Sequence, residues 1–247
     1  MELKNLIRAK LIKRYKRFLM KVKFKNQTIT AYTPNTGTMK TLLDEENFVY
    51  LENSQNLKRK LKYTTKIIEL VKKEKNNQKF FTMIDTHLAN RIVEEWIKNK
   101  EIPELKKYQK IEREVKYGKN QKSRIDILLS HKNKKKTFIE IKNATLKLEK
   151  NTIAFPDAIT ERGKKHLEEL ILEVEQGNQA IVFFLVSRND GKKFRVAKEI
   201  DEKFYETFLK AKKKGVQFLA YQIDFELKEK EGKYNFQLTR GPKIKII

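Results

Sequence analysis

The stretch best suited to chemistry is Ser123-Arg124-Ile125-Asp126, followed by Phe138-Ile139-Glu140-Ile141-Lys142. Both pieces read as strands, in which successive side chains point to opposite faces. On that alternation Arg124, Asp126 and Leu128 share one face, and Ile125, Ile127 and Leu129 the other. Phe138, Glu140 and Lys142 likewise share a face opposite Ile139 and Ile141. Each strand thus carries charge among apolar neighbours on a sheet that helices are expected to cover, and a charge buried without a partner is costly. A connection around 131–135 allows a hairpin whose register sets Asp126 directly opposite Glu140 on one face, with Cβ atoms about 5 Å apart. Two carboxylates that close repel unless a proton or a cation lies between them. A hard cation such as Mg²⁺ or Mn²⁺ takes one or two carboxylates together with waters and phosphate oxygens. Lys142 is placed to orient a water or to steady charge growing on phosphorus. The set suits metal-assisted phosphodiester hydrolysis. The same residues also read as a structural ion pair, since E-x-K on a strand is common in a lysine-rich chain.

The elements that must position these groups follow from periodicity. Asp85 caps a helix from Thr86 to Lys98 whose apolar arc is Leu88, Ala89, Ile92, Val93, Trp96 and Ile97. On a helical wheel Glu95 lies about 20° beyond Leu88 and Glu94 about 60° beyond Ile97, so Glu95 is the expected third carboxylate of the site. Strands follow at 110–117, 123–130 and 137–144, then a helix carrying Leu167, Leu170, Ile171 and Val174 at i, i+3, i+4, i+7. The continuous apolar run 180–186 reads as a buried central strand. A helix at 202–213 and a strand at 216–223 complete a mixed sheet with helices packed on it. Upstream, strands at 18–24, 28–33, 48–51, 63–71 and 80–84 suggest a small β-barrel of the OB kind. The fold class is therefore α/β (α+β overall), with an OB-like barrel over 1–85 and a mixed-sheet domain over 86–247. The first nineteen residues read as a basic amphipathic segment, and the tail after Glu226 as charged and without pattern.

Composition points to the partner. The net charge is +25 with a pI near 9.9, which suits a polyanion; an A/T-rich genome would also supply lysine. Residues 1–85 hold 20 Lys and Arg against 8 Asp and Glu, so the barrel is the more densely basic part. A basic barrel with exposed rings suits single strands, because bases stack on aromatics while lysines follow phosphates; Tyr15, Tyr32, Tyr50 and Tyr63 are the candidate platforms. Absence of cysteine excludes disulfides and thiolate zinc sites. The three histidines lack H-x-x-x-H spacing; His166, at the edge of its helix's apolar face, reads as a packed polar residue or a base. Asn35-Thr36-Gly37-Thr38 reads as an anion-binding turn or an ordinary one. No apolar run approaches the roughly 20 residues of a membrane span, and a cytoplasmic location is expected.

Seven strings in order resemble the sugar fermentation stimulation protein A family: Arg14-Tyr15-Lys16-Arg17-Phe18-Leu19, Pro34-Asn35-Thr36-Gly37-Thr38-Met39, Asn56-Leu57-Lys58-Arg59-Lys60-Leu61, Arg113-Glu114-Val115-Lys116-Tyr117-Gly118, Ser123-Arg124-Ile125-Asp126, Phe155-Pro156-Asp157-Ala158 and Thr160-Glu161-Arg162-Gly163-Lys164-Lys165-His166-Leu167. Thr38 stands where the family pattern has Ser. The resemblance implies an OB-like domain followed by a domain like the PD-(D/E)xK nucleases. In that pattern Glu95 is the helix carboxylate, Asp126 the metal aspartate, and Glu140 and Lys142 the E-x-K pair. It implies Mg²⁺ or Mn²⁺ at Glu95, Asp126 and Glu140, and DNA as the partner. Among the basic residues of the strings, Arg14, Lys16, Arg17, Lys58, Arg59, Lys60, Arg124, Arg162 and Lys165 are the expected nucleic-acid contacts. Three functions follow as expectations: a Mg²⁺-dependent nuclease, a non-cutting DNA-binding regulator of sugar (maltose-type) metabolism, and an RNA-binding protein.

Overall fold

The computed structural model describes residues 1–56, 58–71, 78–118, 121–149 and 151–247; Leu57 of the third string lies outside them. The described residues form fifteen strands and three α-helices. The barrel comprises β1 (Glu2–Tyr15), β2 (Leu19–Phe24), β3 (Gln27–Tyr32), β4 (Phe48–Asn53) and β5 (Tyr63–Leu70), with β6 (Phe80–Met83) added to β5. β1 pairs with both β2 and β4, and β3 pairs parallel with β5, so the five strands close on themselves. Around the barrel axis Ala9, Leu11, Met20, Val22, Val49 and Ile68 form its core. Four of the five expected N-terminal strands belong to the closed barrel; the fifth is β6, and the missing member is β1. Its apolar residues do not alternate cleanly because Asn5 adopts a left-handed φ of 55° and the pairing shifts register twice along the strand.

The rest of the chain builds α1 (Thr86–Lys98), β7 (Lys110–Tyr117), β8 (Ser123–Ser130), β9 (Lys136–Ala144), β10 (Leu146–Lys147), β11 (Thr152–Phe155), α2 (Glu161–Glu175), β12 (Gln179–Val186), β13 (Lys193–Val196), α3 (Glu202–Lys213), β14 (Gln217–Lys230) and β15 (Lys233–Lys243). β10, β11 and β13 form a small separate sheet. Central β12 is parallel to both β9 and β14, which is why residues 180–186 are apolar throughout: both faces are covered. α1 packs on one face of this sheet with Ile127, Ile139 and Phe183. α2 and α3 pack on the other with Phe138, Val182 and Phe184.

The tail after Glu226 is not patternless. β14 continues to Lys230, turns through Glu231 and Gly232, both at positive φ, and returns as β15. A two-residue hairpin with both central residues left-handed matches the twist of its strands, and the second position is one where glycine is free of strain. β15 also pairs with the first half of β1. One sheet of twelve strands thus runs from the barrel through β1 and β15 into β14, β12, β9, β8 and β7. The two halves share β1, and Phe236 of β15 meets Tyr50 and Phe81 of the barrel side at ring-centroid distances of 4.7 and 5.1 Å.

Candidate active site

The β8–β9 ladder runs from Ser130↔Lys136 to Ile127↔Ile139 and stops there. The expected register is the observed one, so Asp126 is the next residue along β8 and Glu140 the next along β9. Beyond this point β9 keeps β12 on one side, with Glu140 beside Val182 and Lys142 beside Phe184. Its other edge opens into a gap. Into that gap Asp126 turns its carboxylate: Oδ2 accepts the Ile141 N–H at 2.7 Å, and Oδ1 accepts Asn90 Nδ2 of α1 at 2.7 Å. On the opposite strand β7, Glu114 is left-handed with φ 51°, and face alternation along β8 breaks: Ile125 joins the α2 core while Ile127 and Leu129 join the α1 core.

Glu140 is buried and points toward α2. Its Oε1 accepts from Lys142 Nζ at 2.7 Å and is in contact with His166 Nδ1 of α2. Its Oε2 is buried with no hydrogen-bond partner. The expectation that Asp126 and Glu140 stand side by side on one face is therefore corrected. They are held from opposite sides, Asp126 from α1 through Asn90 and Glu140 from α2 through His166, because the β8–β9 pairing ends at Ile127 and Ile139 and the alternation of β8 breaks at Asp126. Their charges still interact. Burial first, then the Glu140 charge, pushes the Asp126 carboxyl up to about 7, against the opposing pull of the Ile141 N–H, Lys142 and Asn90. Burial also works to raise Glu140, but Lys142 and His166 outweigh it and hold Glu140 well below the usual carboxylate range.

Glu95 is not at this site. Its carboxylate takes the Met1 ammonium at 3.0 Å and is 41% exposed. The wheel has two edges, and the carboxylate pair lies beyond the other one: Asn90 is about 20° past Ile97, the mirror position of Glu95. Glu94, on Asn90's side, pairs with Arg113 and Lys98. Among the described residues no group of three or more His, Cys, Asp and Glu converges to hold a metal. The donors present, two carboxylates with one oxygen left without a partner, nevertheless fit a hard cation that keeps several waters of its own.

Lys142 and Asn90 open onto a cleft of about 650 Å³ between the barrel and the second half, whose walls include Arg17, His87, Ile159 and Arg162. The segment 35–39 fixes its barrel side. Asn35 closes a turn on the Gly37 N–H and donates to the Ile84 carbonyl. Asp157 accepts from Met39 N through Oδ2, and its carbonyl accepts from Thr38 Oγ1. A Cβ on Gly37 would lie 2.3 Å from the Asp157 carboxylate, so only glycine admits this approach. The turn is thus a clamp between the halves. Lys66 adds a second tie, donating to Asp85, the cap of α1, at 2.7 Å.

The predicted basic contacts divide. Arg14 is spent: its guanidinium donates to the carbonyls of Arg17, Asn35, Gly37 and Thr38, and burial lowers its pKa. Lys16, Arg17, Lys58, Arg59, Lys60, Arg124, Arg162 and Lys165 are exposed. Of these Arg17 and Arg162 line the cleft; Arg59 donates to Thr64, and Lys165 lies 3.6 Å from Glu169. Tyr50 is fully buried and donates to Glu69, so it is no platform. Tyr15 borders the neighbouring depression, and Tyr32 stacks on half-exposed Phe18. Residues that sequence reasoning passed over are Asn90, visible as the polar residue at the second wheel edge, and His166 as the Glu140 partner, which no local pattern announces.

Comparison with known proteins agrees with this architecture. The SfsA N-terminal OB domain family matches residues 12–77, and the sugar fermentation stimulation protein RE domain family matches residues 87–229. The sugar fermentation stimulation protein homolog of Pelagibacter ubique (strain HTCC1062) is 46% identical over 244 residues, covering 99% of this chain and 97% of its own. This chain belongs to the sugar fermentation stimulation protein family. The family homolog of Marinomonas sp. (strain MWYL1) is 41% identical over 225 residues, covering 91% of this chain and 84% of its own. The structure of Pyrococcus furiosus SfsA in complex with Ca²⁺ superposes with a TM-score of 0.82 at 25% identity, covering 100% of this chain and 98% of that one. Among the described residues no helix is long and apolar enough to cross a membrane.

Proposed function

We propose that this member of the sugar fermentation stimulation family binds nucleic acid, DNA foremost, in the cleft between its halves, and hydrolyses a phosphodiester there with Mg²⁺ or Mn²⁺ held by Asp126 and Glu140. The observation that carries the reading is the unpartnered, buried Oε2 of Glu140, with the nearby Asp126 carboxyl raised first by burial and then by the Glu140 charge. The Ca²⁺ bound by the Pyrococcus furiosus relative is an oxygen-seeking divalent ion of the same class. When bound, the cation supplies Lewis acidity toward the phosphate oxygens. His166 and Lys142 both load Glu140 Oε1, which fixes the carboxylate and leaves Oε2 available. Asn90 and the Ile141 N–H fix Asp126 through one oxygen each. Lys142 opposes negative charge that grows only in the transition state. Arg17 and Arg162, on the cleft walls, hold phosphates to either side.

The test is a cleavage assay on DNA and RNA, single- and double-stranded, with Mg²⁺, Mn²⁺ or chelator. Lys142→Ala is expected to slow cleavage about 10²-fold while leaving affinity nearly unchanged, and Glu140→Gln to abolish it. Cleavage that persists equally in both variants belongs to a contaminant. Glu95 pairs with the Met1 ammonium instead of joining Asp126 and Glu140, which favours the second reading, a DNA-binding regulator that does not cut. Tight binding with no cleavage under any condition is its signature.

A further inference from the structure

Ile159 is the most exposed large apolar side chain among the described residues, at 74%. Single exposed apolar residues are common on protein surfaces. Three features set this one apart. It lines the cleft that leads to Lys142 and Asn90, with Arg17 and Arg162 in the same walls. It stands on a segment pinned from both sides: Asp157 is bonded to Thr38 and Met39 of the barrel, and the Thr160 N–H donates to Asp201 at 2.8 Å while its hydroxyl caps Gly163 at 3.0 Å. The cleft also adjoins a depression of about 390 Å³ bordered by Tyr15 and Lys16, and the two share Arg17, Thr36, Gly37 and Ala158. A cationic path thus leads from the barrel to Lys142 and Asn90, with one apolar side chain standing in it.

Phosphate and sugar offer no complement to an isoleucine. The face of a base does, but in a duplex each base face is covered by its stacked neighbours, and uncovering it costs the stacking of that step. In an unpaired strand that cost is least. A cleft of about 650 Å³ has the volume of a small-molecule site, enough for one or two nucleotides. We infer that the cleft takes an unpaired strand, led in past Tyr15 and Arg17, with Ile159 lying against the face of an unstacked base on the wall that carries Lys142 and Asn90. This rests on the proposed nucleic-acid function and adds the substrate class: single-stranded segments, overhangs and frayed ends rather than continuous duplex.

The experiment uses the full chain in EDTA, so that no strand is cut, and one DNA sequence as a single strand, a blunt duplex and a duplex with an overhang. Anisotropy gives affinity, and a 2-aminopurine in the strand reports unstacking. Wild type is expected to bind the single strand and the overhang at least about tenfold more tightly than the blunt duplex, the scale of one base contact, with a 2-aminopurine fluorescence change on binding. Ile159→Ser removes most of that preference and the fluorescence change, Ile159→Leu retains both, and Mn²⁺ affinity without nucleic acid stays the same in all three. Equal affinity of wild type for single strand and blunt duplex, or an Ile159→Ser variant indistinguishable from wild type, overturns the inference and leaves the nucleic-acid reading standing. Absence of binding to every oligonucleotide overturns both.

Discussion

At the scale of residues, the site is a pair of carboxylates treated unequally by their surroundings. Glu140 has two cationic or hydrogen-bonding neighbours on one oxygen; Asp126 has neutral donors and a buried negative neighbour. The folded protein therefore holds a proton on Asp126 up to about pH 7, whereas an unfolded chain releases it near the ordinary aspartate value. The sign follows from linkage: as pH rises from about 4 to 7 the unfolded state loses this proton first, so stability falls across that window. Asp126→Asn, with Asn90 turned round to accept, removes that fall and is expected to raise the stability of the metal-free protein at pH 8 by about 1–3 kcal/mol, read by denaturant titration. On the proposed function a cation held by Asp126 displaces the same proton. Mn²⁺ affinity measured by calorimetry is accordingly expected to climb about tenfold per pH unit below 7 and to level off above it. A pH-independent affinity would show that the proton is not where the ion binds.

At the scale of elements, the decisive members are β1 and β15. Each is shared: β1 gives its first half to β15 and its second to β2 and β4, and β15 joins β1 to β14. Phe236 of β15 is fully buried against Tyr50 and Phe81. Phe236→Ala is expected to cost about 3–5 kcal/mol, the cost of emptying an aromatic site in a core. Because the ring touches both halves, the destabilisation should appear in one cooperative transition. Trp96, buried in α1, and far-UV circular dichroism provide independent probes of urea unfolding; coincident midpoints that shift together are expected, and two separated transitions would mean the halves fold independently.

At the scale of the whole molecule, the excess of positive charge has a physical consequence that no single residue carries. A protein of net charge +25 releases condensed counterions when it meets a polyphosphate, so its affinity falls linearly on a log–log plot against salt. Replacing Arg17, Lys58 and Arg59 together by Ala is expected to weaken binding similarly for all sequences. On a single strand it should also flatten the salt slope by about 0.7 for each phosphate that is no longer neutralised. Arg14→Ala belongs to a different class, since its guanidinium is bonded to the carbonyls of Asn35, Gly37 and Thr38 and its removal would loosen the clamp. Binding between about 50 and 200 mM salt that stays flat would remove electrostatics as the driving term.

Local pattern alone determined much of this protein. Period-2 alternation and capping residues give most of the strands and the approximate extent of α1 and α3, and the loop at 131–135 allows the register that the β8–β9 ladder adopts. They do so because strand and helix geometry depend on neighbours a few positions away. The tail held the same signal in Phe225 and Leu227, then Tyr234, Phe236 and Leu238 around Glu231-Gly232, but its density of charge obscured the alternation. What only the tertiary structure decided are relations between distant segments. A helical wheel is symmetric about its apolar arc, so it cannot say whether Glu95 or Asn90 faces the sheet edge that carries Asp126; the packing of α1 against β8 and β9 chooses Asn90. Composition counts Arg14 among the cations, while the fold consumes it on backbone carbonyls more than twenty residues away in the chain. His166 and Glu140 lie 26 residues apart on different elements, and only the crossing of α2 over β9 turns them into one site.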